Sequence, residues 1–275
     1  MSIHVFPLAG TQVGSGSLTV IAGPCLAESM ELCHQVAGTM QEICADLGMP
    51  YVFKASFDKA NRTSVHSTRG SGMEAGLDIL ASVKENFGLP VTTDVHTAEQ
   101  AAPVASVVDL IQVPAFLCRQ SDLLEACAVT GKPVNVKKGQ FLAPWDAQNI
   151  VTKLQNFGAR GVMLTERGTS FGYNALVVDM TGFETMRGFG VPVCFDATHS
   201  AQRPGGAGTS TGGVRESIPA MARAATAVGI DAIFLEVHPN PEKALSDAAT
   251  QWPLDKARDL LVSIQAIHRV RQAIG

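Results

Sequence analysis

The chain has six cysteines among its 275 residues but lacks any CxxC pair, and this absence excludes two classes of protein. Neither a disulfide framework nor a zinc ribbon spaces its cysteines so irregularly. A reducing compartment suits such thiols, so we expect a cytoplasmic protein. The scattered cysteines are Cys25, Cys33, Cys44, Cys118, Cys127 and Cys194.

Long apolar runs are missing as well. No uninterrupted stretch approaches the roughly 18 apolar residues of a membrane span, and the opening MSIHVFPLAG lacks a basic segment followed by a long apolar core. We therefore expect neither a membrane anchor nor a signal peptide. The net charge of −4 and the pI near 6.0 also argue against nucleic acid or an anionic membrane as the main partner.

Charged residues are few, at 17%, whereas apolar residues reach 46%. Such a composition supplies an ample core and suggests that part of the surface is hidden against sister subunits. The length suits two ordinary domains or one large one, because α/β barrels often reach this size undivided.

Short apolar runs alternate with helical patterns along most of the chain. We predict strands at 18–23, 51–54, 91–94, 109–113, 134–137, 161–165, 191–196 and 232–236. We predict helices at 29–47, 73–87, 98–105, 121–130, 146–157, 215–228 and 254–274. The segment between the sixth and seventh strands has no clear pattern, and residues 1–17 suit a short hairpin or a loose lead-in.

Strands that alternate with helices indicate parallel βαβ units with right-handed crossovers. Eight such units close into a (β/α)8 barrel, here a single α/β domain over residues 1–275 with a short N-terminal extension. The alternative is an open doubly wound sheet, which would carry a glycine-rich dinucleotide turn after its first strand. The sequence GPCLAES at that point is not such a turn, so the barrel is favoured.

The stretch 51–70 joins an apolar strand to a basic loop. The strand ends at Lys54, and the loop carries Lys59, Arg62 and Arg69. Lysine and arginine donors suit phosphate oxygens, so this stretch indicates an anion site. The alternative for an isolated loop of this kind is a solvated basic surface.

Polar and ionisable residues also follow the other predicted strands. Barrel enzymes place their chemistry at the carboxyl ends of the strands, so these residues predict one dense site at one mouth. In chain order they are Cys25, Glu28, Lys54, Ser56, Asp94, His96, Gln112, Lys137, Arg167, Asp196, His199, Glu236 and His238.

Two parts of this site differ in chemistry. Lys54, Lys137 and Arg167 supply three positive charges, which suit a substrate with a phosphate beside a carboxylate. Arg62 would lie further out and hold a second phosphate. The alternative for each cation alone is a surface salt bridge of little energetic weight.

The second part combines a thiol, an imidazole and two carboxylates, from Cys25, His199, Glu236 and Asp247. This donor set suits Zn, Fe or Mn. The four residues have no local motif spacing, and an isolated cysteine is often simply buried, so both interpretations stay open. Only a closed barrel would bring the first, seventh and eighth strands together.

Several motifs closely resemble the 3-deoxy-D-manno-octulosonate 8-phosphate synthase family, from about residue 18 to about residue 270. They are KASFDKANRTS, TDVH, QVPAFLCRQ, NVKKGQF, ERGTSFGY, FDATHS and the Pro-Gly-Gly loop. The resemblance implies a tetrameric (β/α)8 barrel that condenses phosphoenolpyruvate with arabinose 5-phosphate and releases phosphate. It also implies a role in making the Kdo sugar of Gram-negative lipopolysaccharide.

Matching motifs imply roles for individual residues. Those implied to bind phosphoenolpyruvate are Lys54, Ser56, Lys59, Gln112, Ala115, Lys137, Arg167 and His199. Those implied to bind arabinose 5-phosphate are Asn61, Arg62, Thr63 and Asp94, together with Arg119, which reaches the site of a neighbouring subunit. The catalytic residues among them are Lys54, Asp94, Lys137, Arg167 and His199.

The family has a metal-dependent and a metal-independent branch, and the latter carries Asn where this chain has Cys25. GPCLAES and ALSDAATQ look like the metal-dependent branch, which implies Cys25, His199, Glu236 and Asp247 as ligands. The resemblance leaves the divalent metal open among Zn, Fe, Mn and Co.

Three rival functions remain at this point. The sister enzyme that uses erythrose 4-phosphate typically has Lys-Pro-Arg-Thr where this chain has KANRT at 59–63, and the inserted residue favours the five-carbon sugar. A Schiff-base aldolase would use Lys54 or Lys137 and would be trapped by borohydride. A non-catalytic phosphosugar-binding barrel would release no phosphate.

Overall fold

A closed ring of parallel strands forms the centre of the molecule. The computed structural model describes residues 3–62, 64–206 and 211–274. Its strands are β1 (Phe6–Leu8), β2 (Thr11–Val13), β3 (Thr19–Gly23), β4 (Tyr51–Lys54), β5 (Val91–Asp94), β6 (Leu110–Val113), β7 (Val134–Lys137), β8 (Val162–Glu166), β9 (Thr169–Ser170), β10 (Leu176–Val177), β11 (Val193–Asp196), β12 (Gln202–Arg203), β13 (Gly212–Gly213), β14 (Ala232–His238) and β15 (Trp252–Pro253).

The ring contains β3 to β8, β11 and β14, each paired in parallel with the next. It closes because β14 pairs with both β11 and β3. The predicted (β/α)8 barrel is therefore confirmed, and the open-sheet alternative is wrong. Closure also makes the predicted first, seventh and eighth strands neighbours.

Helices connect the ring strands on the outside. They are α1 (Met30–Leu47), α2 (Met73–Phe87), α3 (Ala98–Val107), α4 (Ser121–Ala128), α5 (Gln148–Asn156), α6 (Thr181–Arg187), α7 (Ala197–Ser200), α8 (Ile218–Val228) and α9 (Ala257–Ile274). Short 3-10 turns occupy Ala115–Leu117, Pro144–Ala147, Arg215–Ser217, Pro241–Lys243 and Leu254–Lys256. Helix α1 begins where predicted, with the Ser29 hydroxyl accepting a hydrogen bond from the Leu32 amide, and ends at Gly48 in the left-handed region.

The prediction of an irregular segment between the sixth and seventh ring strands is wrong. That segment contains the hairpin β9–β10 and helix α6, which buries Phe183 and Met186 against the barrel. The helix has only seven residues and includes Gly182, so no periodic apolar pattern long enough to reveal it exists. Helix α7, of four residues, was missed for the same reason.

The N-terminal hairpin closes the amino end of the barrel. Strands β1 and β2 pair in antiparallel fashion, as one of the two predicted alternatives for residues 1–17 required. Phe6, Leu8 and Val13 are buried in a cluster with inward-facing side chains such as Ile21 and Phe234. This plug fills the lower barrel with apolar atoms, so the polar chemistry is left to the carboxyl end.

All six cysteines are buried as free thiols in the described structure. Within the described residues, no helix combines the length and apolar character that crossing a membrane requires.

Candidate active site

A cavity of about 1000 Å³ opens at the carboxyl ends of the ring strands. Lys54, Lys137 and Arg167 line it, and each is at least nine-tenths buried. Buried cations are stable only when they are paired or hydrogen-bonded. Their partners therefore define the site.

Lys54 ends β4 and lies among acceptors. Its Nζ donates to Ser56 Oγ at 2.8 Å and lies 3.3 Å from Asp94 Oδ2 and 3.6 Å from Glu236 Oε1. Burial raises the pKa of Asp94, but Lys54 and Lys59 outweigh it, and the pKa falls well below its usual range. Asp94 is thus an ionised carboxylate that holds Lys54 at the cavity floor.

Gly23 sets the position of Lys54 through the backbone. A Cβ on Gly23 would lie 2.0 Å from the Lys54 carbonyl oxygen, so only glycine lets β3 and β4 meet here.

Lys137 ends β7 and is held from two sides. Its Nζ donates to Asp196 Oδ2 at 2.6 Å and lies 3.9 Å from the centroid of the Phe234 ring. Burial raises the pKa of Asp196, but the positive charges of His199 and Lys137 lower it by more, so the carboxylate stays ionised.

Arg167 follows β8, and part of its guanidinium remains available. One terminal nitrogen donates to Gln202 Oε1 at 2.7 Å, whereas Nη1 is buried without a partner among the described residues. Glu166 Oε1 fixes the turn by accepting from the amides of Arg167 at 2.9 Å and Gly168 at 2.6 Å. An unpaired buried donor on the cavity wall is suited to a ligand oxygen.

The predicted metal ligands converge beside this cradle. Donor atoms of Cys25, Glu236 and Asp247 all lie within 4.8 Å of one another. His199 stands at the edge of this group, with Nε2 3.6 Å from Glu236 Oε1 and 3.8 Å from Asp247 Oδ2. The structure therefore brings together all four residues that the sequence singled out.

Neighbouring residues that are not themselves predicted ligands orient these donors. Asp196 Oδ2 lies 2.7 Å from His199 Nδ1, which directs the other ring nitrogen toward Glu236 and Asp247. The side-chain oxygen of Gln251 accepts a hydrogen bond from the Cys25 backbone amide at 3.2 Å, and the backbone amide of Gln251 donates to the Asp247 carbonyl at 3.0 Å.

The donor set fits a divalent cation. Both carboxylate oxygens of Glu236 are buried without hydrogen bonds in the described structure, although a buried carboxylate normally needs such partners. Burial raises the pKa of Glu236, but His199, Lys59 and Lys54 lower it to about 2, so the group is charged. Burial and the Glu236 charge raise the pKa of the Cys25 thiol, so a cation is what would favour its thiolate.

The loop after β4 carries the predicted sugar-phosphate residues toward the mouth. Lys59, Asn61 and Arg62 line the cavity, and Lys59 Nζ donates to Ser56 Oγ at 3.0 Å. Arg62 donates to Ser246 Oγ at 2.9 Å and to the Leu245 carbonyl at 3.1 Å, which ties this loop to the one that carries Asp247.

The other predicted residues lie partly at the cavity and partly away from it. Ala115 lines the cavity, and Gln112 lies beneath it, with Nε2 2.6 Å from Asp94 Oδ1. Arg119 is exposed on the turn before α4 and is not part of the lining. Thr63 lies outside the described residues.

Three further strand-end residues lie around the cavity and its loops. Glu28 Oε1 accepts from the Leu245 amide at 3.0 Å, and its other oxygen lies 3.9 Å from His238 Nε2. His96 lines the cavity beside Asp94.

Sequence reasoning missed several residues that build the site. Gln202 was not among the residues predicted from strand ends, because the short helix α7 separates it from the end of β11. Lys138 and Glu166 form a buried pair 3.4 Å apart beneath Arg167, and each stands next to a predicted residue. Asn135 and Thr165 lie inside predicted strands, where their polar character was the available signal.

The site lies within a chain that has many curated relatives. The sequence pattern that defines the DAHP synthetase I family matches residues 5–271. A 2-dehydro-3-deoxyphosphooctonate aldolase from Azoarcus sp. (strain BH72) is 53% identical over 271 residues, covering 98% of this chain and 97% of the relative.

Two relatives with the same name show a similar degree of likeness. The protein from Dechloromonas aromatica (strain RCB) is 56% identical and covers 93% of each chain. The protein from Methylococcus capsulatus (strain ATCC 33009 / NCIMB 11132 / Bath) is 53% identical, covering 99% of this chain and 96% of the relative. The likeness therefore spans the barrel and every loop of its mouth.

Proposed function

Because this chain belongs to the DAHP synthetase I family, we propose that its barrel joins phosphoenolpyruvate to a phosphosugar. The relatives named above are called 2-dehydro-3-deoxyphosphooctonate aldolases, and an eight-carbon product supports a five-carbon sugar, which we take to be arabinose 5-phosphate. The reaction consumes water and yields 3-deoxy-D-manno-octulosonate 8-phosphate and phosphate, as the sequence motifs predicted. This is a transferase reaction in Kdo and lipopolysaccharide biosynthesis.

One observation carries the proposal. Lys54, Lys137 and Arg167 are buried around one cavity of about 1000 Å³, in a chain that is acidic overall. A substrate with a carboxylate and a phosphate offers oxygen acceptors to these charged donors. The unpaired Nη1 of Arg167 and the paired Nζ of Lys137 lie ready to donate to its oxygens.

In the reaction, C3 of phosphoenolpyruvate attacks the aldehyde carbon, while water adds at C2. The C2 adduct then loses its phosphate, which leaves the ketone of the product. Lys54, Lys137 and Arg167 orient the enolpyruvate and stabilise negative charge on its phosphate as that group leaves. Asp94, held ionised beside Lys54, is placed to accept hydrogen bonds from the sugar hydroxyls.

The sugar phosphate is assigned to the outer loop. Asn61 and Arg62 line the cavity above Lys59, and Thr63 belongs to the same KANRT motif. Arg62 offers a planar set of donors at a distance from the inner cradle, which suits the far end of a five-carbon sugar. Erythrose 4-phosphate is not favoured, since the relatives are not named for that reaction.

A divalent metal is held by Cys25, His199, Glu236 and Asp247 in this proposal. The support is the convergence of three of these donors within 4.8 Å and the two Glu236 oxygens, which accept no hydrogen bond in the described structure. When bound, such an ion acts as a Lewis acid toward an oxygen of water or aldehyde. The four donors suit Zn, Fe, Mn or Co.

The assembly completes the proposal. Arg119 is exposed and outside the cavity of its own chain, as expected for a residue that serves a neighbour. We place it at the sugar phosphate of an adjacent subunit in a homotetramer, each chain being a single barrel domain.

A phosphate-release assay tests the function. Phosphoenolpyruvate and arabinose 5-phosphate together should release phosphate, and neither should do so alone. A non-catalytic binding barrel would give no release with both. Borohydride should leave the activity intact, whereas a Schiff-base aldolase would be inactivated with substrate bound to Lys54 or Lys137.

A further inference from the structure

A chain of buried side chains crosses the barrel interior below the cavity. Thr165 on β8 donates through Oγ1 to Asn135 Oδ1 at 2.7 Å. Asn135 on β7 donates through Nδ2 to Gln112 Oε1 at 3.0 Å, and Gln112 on β6 donates through Nε2 to Asp94 Oδ1 at 2.6 Å. Each residue thus passes a hydrogen bond to the next strand of the ring.

All donors in this chain point the same way. The ionised Asp94 carboxylate can only accept, so the Gln112 amide nitrogen faces it and the Gln112 carbonyl oxygen faces Asn135. The Asn135 amide nitrogen then donates to that oxygen, which leaves the Asn135 carbonyl to accept from the Thr165 hydroxyl. A reversed Gln112 would place its carbonyl oxygen against the Asp94 carboxylate, which is a repulsive contact.

Such a polar layer needs a reason, because barrel interiors are normally filled by branched apolar side chains. Thr165, Asn135 and Gln112 are each fully buried. Burying amides costs free energy unless they are hydrogen-bonded, and a complete network fixes one arrangement. The arrangement fixed here is the orientation of a carboxylate at the cavity floor.

Asp94 transmits that orientation to the cations. Its second oxygen, Oδ2, accepts from Ser56 Oγ at 2.5 Å and lies 3.3 Å from Lys54 Nζ. Ser56 Oγ also accepts from Lys54 and Lys59. Lys54 and Lys59 also lie 3.6 Å and 3.8 Å from Glu236 Oε1, so a rotation of the Asp94 carboxylate would alter the hydrogen bonds that Asp94 offers to the sugar more than it would displace the two lysines.

We propose that Thr165 and Asn135 are positioning residues that orient Asp94 through Gln112 for use of the sugar phosphate. The inference rests on the proposed function for its kinetic consequence, but its geometric part concerns the hydrogen-bond chain alone. Neither residue lines the cavity, so both act through others.

The test compares isosteric threonine variants by steady-state kinetics. Thr165→Val removes the first donor and keeps the shape. We expect it to lower kcat/KM for arabinose 5-phosphate about tenfold while the KM for phosphoenolpyruvate changes less than about twofold. Thr165→Ser restores the hydroxyl and should recover most of the loss.

Thr92→Val is the matched control. Thr92 lies two residues before Asp94 on the same strand, so it faces the same side. It is fully buried, and its hydroxyl has no partner among the described residues. Its valine variant should therefore keep wild-type kinetics for both substrates.

Other outcomes overturn the inference. Equal kinetic constants for Thr165→Val and Thr92→Val would overturn it. An equal loss of kcat/KM for both substrates in Thr165→Val would also overturn it, because such a loss indicates a merely structural role. Asn135→Leu removes the middle link and is measured in parallel in case Thr165→Val does not fold. It must show the same selective loss.

Crystal structures separate this inference from the function. If wild-type protein releases no phosphate with arabinose 5-phosphate, the proposed function is wrong, and the structures decide the positioning role. The contact between Gln112 Nε2 and Asp94 Oδ1 should persist in wild type and Thr165→Ser and be lost in Thr165→Val. Its persistence in Thr165→Val would overturn the inference.

Discussion

Individual residues at the mouth are charged and buried, and each pairs with an opposite charge or a hydrogen-bond partner. Lys137 with Asp196, and Lys54 with Asp94, show the pattern at 2.6 Å and 3.3 Å. Buried pairs of this kind contribute little net stability, but removal of one partner is costly. Such pairs keep the lysines buried and charged at the cavity, where they can bind an anion.

Cys25 gives the sharpest prediction at this scale. Cys25→Asn replaces the thiol, which lies 3.3 Å from Asp247 Oδ2, by an amide that binds metal poorly. We expect bound metal to fall from about one ion per chain to about none, with partial activity that a chelator no longer affects. Elemental analysis and phosphate release with and without chelator measure this.

Cys44→Ala serves as the control for that substitution. Cys44 is equally buried but lies on α1, outside the site, so its variant should keep both metal and chelator sensitivity. Wild-type protein that contains no metal and keeps full activity after exhaustive chelation would show that Cys25 is an ordinary buried cysteine.

At the scale of elements, the junction of β3 and β4 sets the cradle. In Gly23→Ala, the new methyl group would lie 2.0 Å from the Lys54 carbonyl oxygen, so the strands must separate. We expect a loss of about 1–3 kcal/mol in the free energy of unfolding and weaker phosphoenolpyruvate binding. Urea unfolding and the KM for phosphoenolpyruvate measure the two effects.

Gly48→Ala is a suitable comparison. Gly48 has a φ of +68° and open space around it in the described structure, so alanine there costs only backbone strain, about 1 kcal/mol. That variant should be less stable with unchanged kinetics. If Gly23→Ala retained wild-type kinetics as well, the close approach would have no part in placing Lys54.

The elements also show what the sequence predicts well. Each ring strand was predicted within about two residues, because a short apolar run ending in a polar residue is a strong local signal. Helix α6 was not predicted, because seven residues hold too little periodicity. The residues at strand ends, such as Lys54 and Lys137, followed from their position alone.

Interior polar residues could not be predicted in the same way. Asn135 lies in the middle of a strand, and its role depends on which atoms of Gln112 and Thr165 it meets. Those contacts depend on the register between three strands, and a sequence without its fold does not contain that register.

The whole molecule brings distant parts of the chain to one mouth. Cys25 and Asp247 are separated by most of the sequence, and closure of β14 against β3 makes them neighbours. The N-terminal hairpin closes the opposite end, and the cavity opens at the carboxyl end.

Assembly adds a prediction at this scale. If Arg119 serves a neighbouring subunit, Arg119→Ala should raise the KM for arabinose 5-phosphate about tenfold and leave that for phosphoenolpyruvate nearly unchanged. Arg258→Ala, which removes an exposed arginine paired with Asp46, should change neither.

Subunit mixing tests the same idea directly. A mixture of Arg119→Ala and Arg62→Ala chains should regain activity once subunits exchange, because one chain supplies each missing arginine. A fully active monomer in sedimentation experiments would contradict a role for Arg119 in a neighbouring site.

A competition between two sugars tests the central claim most directly. Equal concentrations of arabinose 5-phosphate and erythrose 4-phosphate are offered with limiting phosphoenolpyruvate, and the products are identified by mass. Asn61 within the KANRT loop and the 53–56% identical relatives predict the eight-carbon phosphate product almost exclusively. A seven-carbon product in equal or greater amount, or no condensation product at all, would contradict the proposed function.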